Sequence, residues 1–154
     1  MARINTRGVL LGGLLAGLII NIGEFILNGA LLADEFAAAM QALGVTMPEG
    51  GATMAVWIIM GFALGILAVW VHAAIRPRFG PGPSTAIIAG LTVFVLAYAY
   101  PTVGMLNLGL FPASLSYIGL VWGFFEIPLA TLAGAALYKE TGETSPKPAS
   151  AMAA

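Results

Sequence analysis

The sequence predicts an all-α integral membrane protein, a bundle of four transmembrane helices with both termini in the cytoplasm. Three observations carry this. The chain of 154 residues is 60% hydrophobic and 8% charged, with a mean hydropathy of +0.97, whereas an ordinary soluble domain carries about 25% charged residues. So short a soluble chain has no interior large enough for that much apolar surface, so its solvent is a bilayer. Second, four segments reach spanning length, about 8–32, 53–75, 84–110 and 114–138. Backbone groups find no water partner in lipid, so each segment must be a helix. Third, the six Lys and Arg residues all fall on one side of that arrangement. Arg3 and Arg7 precede span 1, Arg76 and Arg78 join spans 2 and 3, and Lys139 and Lys147 follow span 4. The opposite loops carry Asp34, Glu35 and Glu49 and no basic residue. The positive-inside rule places the basic side in the cytoplasm, in a bacterial-type cytoplasmic membrane.

Along the chain, the apolar run from Gly8 to Ala33 comes first. It has about 26 residues, against about 7–15 for the core of a signal peptide, so it is expected to be retained as span 1. In the loop after it, Phe36, Met40 and Leu43 recur at helical spacing, with Asp34 and Glu35 at the start and Gly44 at the end. That predicts a short amphipathic helix over about 34–44, lying on the outer membrane surface as a linker or as a lid. Span 2 leads into "RPRFGPGPS" (76–84), read as a stiff cytoplasmic turn. Near it lies His72, the one histidine, expected at the membrane interface. Span 3 contains Pro101 and should kink or end there. Residues 1–138 form the transmembrane domain. The segment 139–154, "KETGETSPKPASAMAA", is polar and rich in Pro, Ser and Ala, and is expected to be a disordered cytoplasmic tail.

Two patterns bear on packing. "GFALGILAVWVHAA" (61–74) and "GFFEIPLATLAGAA" (123–136) align without gaps, with identity at Gly, Phe, Leu, Ala and the closing Ala-Ala. "AGL" at 16–18 matches "AGL" at 89–91. Spans 1–2 and 3–4 then read as two hairpins of one orientation, a parallel repeat. Small residues four apart also recur: Gly13 and Gly17, Gly61 and Gly65, Gly119 and Gly123, Ala130 and Gly134. Such pairs permit close helix crossings in lipid, within the chain or between copies.

The polar residues inside the spans are the candidate site. Asn21, Glu24 and Asn28 stand at i, i+3 and i+7 on one face of span 1. A charged side chain at the bilayer centre costs about 2.5–3.5 kcal/mol on insertion scales, so that face is expected to look inward. At about 1.5 Å per residue, Glu24 lies some 24 Å from the start of span 1, and Glu126 some 18 Å below the outer start of span 4. Tyr98 and Tyr100 reach a similar level in span 3. Glu126 is followed by Pro128, which frees a backbone carbonyl one turn earlier. The expected ligand-binding set is Glu24, Asn21, Asn28, Glu126 and Tyr98, with the two carboxyls acting as a pair and the asparagines as neutral ligands. Interhelical hydrogen bonding alone is the competing account of the same residues.

Several classes are excluded. No cysteine means no disulfide, thiolate metal site or thiol nucleophile, and one histidine cannot build a multi-histidine metal site in one copy. A net charge of −1 does not suggest a nucleic-acid partner. A rhomboid-type protease needs a serine–histidine pair within the membrane, and an aspartyl intramembrane protease needs two aspartates where Asp34 stands alone. No enzymatic activity, cofactor or metal is therefore expected. In size, span number and a glutamate in span 1 the chain is similar to small multidrug resistance transporters. Its long first outer loop, its one-sided basic residues and the motif "NIGEFILNG" set it apart from them. The expectation is a small membrane protein that binds or translocates a cation, proton or small polar solute, as a homo-oligomer or beside a partner membrane protein. The alternative is an accessory or assembly subunit of a larger membrane complex.

Overall fold

The computed structural model describes residues 4–46 and 50–140. Expectations attached to Arg3, Glu49, Lys147 and residues 141–154, most of the expected tail, lie outside the described residues. Among the described residues every regular element is helical. Four helices are long and apolar enough to cross a membrane: Thr6–Leu31, Gly51–Phe79, Pro83–Asn107 and Ala113–Leu137, spans 1 to 4. They lie within a few residues of the expected bounds. Between spans 1 and 2 the surface helix Ala33–Ala42 matches the expected amphipathic segment. It ends as its sequence implies, with Gly44 at φ 70° and the Gly44 and Val45 amides donating to Gln41 and Met40 carbonyls. Its Phe36 ring stacks on Phe111 of the loop between spans 3 and 4, centroids 5.7 Å apart.

The spans form a four-sided bundle. Span 1 packs on spans 2 and 4, span 3 packs on spans 4 and 2, and spans 2 and 4 touch across the middle. Small residues set the crossings, because lipid tails are as apolar as leucine and only close fit rewards helix contact. A Cβ on Gly13 would stand 2.5 Å from the Ile66 Cα, and one on Gly17 would stand 2.6 Å from the Phe62 Cα. A Cβ on Gly65 would collide with the Gly17 backbone. The pairs Gly13/Gly17 and Gly61/Gly65 are therefore crossings within one chain. Span 4 meets span 1 at Gly134, whose Cβ would lie 2.5 Å from the Gly12 carbonyl oxygen, and span 3 at Gly90, against the Pro128 Cα. Gly119 meets nothing, so the Gly119/Gly123 pair divides: of the two, Gly123 alone lies at a contact.

Proline lies inside a continuing span at two places. Span 2 does not stop at Arg76 but runs through Pro77 to Phe79, and the turn proper is Gly80–Gly82, with φ 84° and 130° at the two glycines. Span 3 neither ends nor breaks at Pro101. It widens into a π-helical segment at Val95–Ala99 and resumes as α-helix at Tyr100–Asn107. Proline has no N–H and its ring crowds the carbonyl four residues back, here that of Ala97, so a wider turn relieves the clash. Span 1 has a second π-helical segment, Phe25–Leu31, with no proline behind it.

The ends of spans 1 and 4 and the joint of spans 2 and 3 gather at one end of the bundle. There the Asn5 amide side chain donates to the Lys139 carbonyl at 2.8 Å, and Arg76 pairs with Glu140 at 3.6 Å. Arg76 also lies over the Tyr138 ring, 5.6 Å from its centroid. His72 is 3% exposed and meets that ring edge-on, so it is packed between helices close to Arg76 at this end of the bundle.

Candidate functional site

The site lies where the close packing ends. Glu24 is the last α-helical residue of span 1, and the π-helical segment begins at Phe25. A π-helical turn takes more residues, so it rotates the next residues of the span relative to a straight helix. Asn28 remains beside Glu24 and donates from Nδ2 to Glu24 Oε2 at 2.6 Å. Tyr98, in the π-helical segment of span 3, donates its hydroxyl to Glu24 Oε1 at 2.5 Å. Each oxygen of Glu24 thus accepts from a neutral donor, one on its own helix and one on the diagonal span. The Tyr98 ring reaches that position by lying across Gly123, whose Cβ would stand 2.8 Å from it, and by stacking on Phe94 with centroids 6.3 Å apart.

Glu126 comes in from span 4. It is 8% exposed, and a Cβ on Gly23 would collide with its Oε1. Only a glycine at position 23 lets this carboxyl lie against span 1, one residue from Glu24. Glu24 and the Trp122 indole are close enough to act on Glu126 electrostatically, and Glu126 in turn acts on Tyr98. Neither Glu126 oxygen has a hydrogen bond of normal geometry among the described residues, and the Trp122 Nε1 has none either. Buried polar groups of native proteins almost always have partners, so orphaned oxygens on a buried carboxyl call for an account.

The structure therefore brings together four of the five expected site residues: Glu24, Asn28, Tyr98 and Glu126. Asn21 lies one turn before Glu24, but its Nδ2 donates to the carbonyls of Gly17 at 2.8 Å and Ile58 at 3.2 Å, and the side chain lies over Gly61. Its amide ties span 1 to span 2 and is not offered to the carboxyls. The physical reason is local. Gly61 leaves a side-chain-sized gap one turn away, which the Asn21 amide fills. Tyr100, expected at the same level as Tyr98, is 80% exposed and points away. Two participants were not expected, Gly23 and Trp122. Gly23 adjoins Glu24 in sequence, and Trp122 stands one turn before Glu126 on the same helix, which is the signal that could have found it.

Chemically, the arrangement holds two carboxyl groups from different spans, a phenol and an amide, with no lysine or arginine among them; the described cations lie at span ends. No group of three or more metal-ligating side chains occurs among the described residues. Two carboxyls so placed cannot both carry charge cheaply, so the pair needs a proton or a cation. No protein-family model, no curated protein and no solved structure matches this chain.

Proposed function

We propose that this chain is a multi-pass protein of a bacterial-type cytoplasmic membrane, termini inside, that binds a proton or cation at Glu24 and Glu126 and exchanges it with the outer side. The single observation that carries the reading is the convergence of two carboxyls from spans 1 and 4 with no basic side chain between them. Glu24 has neutral donors on both oxygens, which hold it in place. Neither Glu126 oxygen has a hydrogen bond of normal geometry, which leaves that carboxyl open to a proton or cation. The outer half of the bundle supports exchange on that side. Phe25–Leu31 packs chiefly on its own helix and on the surface helix, and Tyr100, Val103 and Leu108 of span 3 are exposed.

The two-hairpin repeat fits the same reading. The offset that superposes Ala16–Leu18 on Ala89–Leu91 carries Phe25 onto Tyr98, so the π-helical segments of spans 1 and 3 overlap. The carboxyls break the repeat, because the hairpin alignment sets Leu64 opposite Glu126. Each hairpin thus contributes one carboxyl, at non-equivalent positions.

The test uses Trp122 as a reporter. In a Trp57→Phe/Trp70→Phe background, Trp122 fluorescence should titrate with pH, and the transition should vanish in Glu126→Gln. Reconstituted vesicles under a potassium diffusion potential should pass protons or sodium ions, and lose that flux in Glu24→Gln and in Glu126→Gln. Flux equal to that of empty vesicles, with no Trp122 titration, would defeat the proposal and leave the accessory-subunit role.

A further inference from the structure

Beside the carboxyl pair, spans 1 and 4 part to leave a groove of about 730 Å³. Ile19 and Ile22 face Ile118, Val121, Phe125 and Leu129 across it. Ile22, Val121, Phe125 and Leu129 are each more than half exposed, so the groove opens sideways, toward where lipid would lie. Its polar lining residues are Glu126, with the Trp122 indole beside it next to Gly23, and Tyr117. A second crevice, between spans 3 and 4, is about 190 Å³ and has no ionisable group in its wall. The groove between spans 1 and 4 is thus unlike the ordinary gaps between lipid-facing side chains. It ends on a carboxyl that is more than nine-tenths buried and has both oxygens unpartnered.

We propose that this groove admits an organic cation with an apolar, aromatic body, entering from the bilayer and setting its charge on Glu126. The inference rests on the proposed carboxylate site and adds the ligand class and the route. Three features select that class. The size matches the roughly 300–1,000 Å³ of small-molecule sites. The walls are apolar and need an apolar body to fill them, which a hydrated metal ion does not supply. The charge is complementary: neither oxygen of the buried carboxyl has a hydrogen bond of normal geometry, and a buried charge needs a paired one. A neutral lipid chain would fill the walls and leave the carboxyl orphaned.

The test uses methyltriphenylphosphonium and its uncharged counterpart triphenylphosphine oxide, with the full chain in phosphatidylcholine nanodiscs and empty discs as blank. Binding is read by calorimetry and by quenching of Trp122 in the Trp57→Phe/Trp70→Phe background. Saturable binding of the cation, at least tenfold tighter than the neutral compound and weakened at least tenfold by Glu126→Gln, is the expected result. Val121→Trp fills the groove from its lipid-facing wall and keeps Glu126, so it should also abolish binding in a protein whose elution volume is unchanged. Equal binding of the neutral compound would show an apolar crevice only and overturn the proposal. Undiminished binding to the Val121→Trp variant would place the ligand elsewhere and overturn it too. No cation binding while the Trp122 pH titration persists would refute the organic-cation class and leave the proton or small-cation reading standing. Efficient disulfide cross-linking between copies through Ile118→Cys, without cation binding, would assign the groove to a second copy instead.

Discussion

The half of the bundle at the start of span 1 and the end of span 4, and the half at the joint of spans 1 and 2, are built by opposite rules. In the first half, Gly12, Gly13, Ala16, Gly65, Ala68, Ala86, Ala89, Ala130 and Gly134 are buried, and the helix backbones nearly touch. In the second, Phe25, Trp57, Leu96, Tyr100 and Val121 are all more than half exposed, and both π-helical segments lie there. The carboxyls stand at the boundary. In water, large apolar side chains draw helices together; in lipid they gain nothing by leaving the solvent, and only small residues let surfaces fit. The tight half is therefore the half whose inward faces are built of small residues. A polar site at the seam has one closely packed wall and one that is open.

The largest effect should come from breaking the tight half. Gly65→Leu drives a branched side chain into the Gly17 backbone and should cost about 3 kcal/mol, at the upper end of overpacking penalties. Unfolding in mixed detergent, followed by circular dichroism, measures it. A variant as stable as the parent would mean that the crossing of spans 1 and 2 is looser than the backbone contact implies. Next is Tyr98→Phe, at the seam. It removes one of the two donors to Glu24 and leaves that oxygen part-buried, a loss of about 1–3 kcal/mol. Because Tyr98 joins span 3 to span 1 across the bundle, the variant should also increase proteolytic cleavage within the open half while the tight half stays protected.

How much of this the sequence discloses changes at the same boundary. The spans, their lengths and the surface helix are legible because they depend on hydropathy and on capping, which are local. Glycine spacing discloses the crossings as well, yet it cannot say which pair is used: Gly119 repeats the pattern of Gly13 and meets nothing. The stripe of Asn21, Glu24 and Asn28 is legible as a helix face, but its division is not. Asn21 leaves the carboxyls because Gly61 and the Ile58 carbonyl come from another span, and a one-helix argument cannot see them. The π-helical segment after Glu24 is illegible for a related reason, since no proline or other local cause marks it. Trp122 and Gly23 become site residues only through the approach of span 4 to span 1.

Asn21 and Asn28 sharpen the comparison at smaller scale, because similar residues one turn either side of Glu24 have been given different duties. Asn21→Ala should lower stability by about 0.6–1.7 kcal/mol, the range of interhelical hydrogen bonds in membranes, and leave the Trp122 pH titration in place. Asn28 is exposed and, among the described residues, bonds to Glu24 on its own helix. Asn28→Ala should cost less stability and reduce cation or proton flux instead. Equal stability losses in the two variants would remove the distinction between a tether and a ligand-side group.

The smallest effect is expected where the sequence pattern is strongest and the contact absent. Gly119 and Gly123 repeat the spacing that packs span 1 on span 2, but they lie on the open side of the seam. Gly123 lies under the Tyr98 ring, so Gly123→Leu must displace Tyr98 from Glu24. At Gly119 an added Cβ meets nothing within 4 Å. Gly119→Leu should therefore change stability by no more than about 0.5 kcal/mol, as for an exposed substitution. The variant also reports on association, since a glycine left open on a lipid-facing helix is the kind of surface that a second helix approaches closely. Stability in detergent and oligomer size in nanodiscs are then separate readings of one substitution. If stability falls by as much as for Gly65→Leu, the open half is closed in the membrane and the contrast between the halves is wrong. If stability holds and a larger species dissociates, the face belongs to a neighbouring copy, and the open half is open only within a single chain.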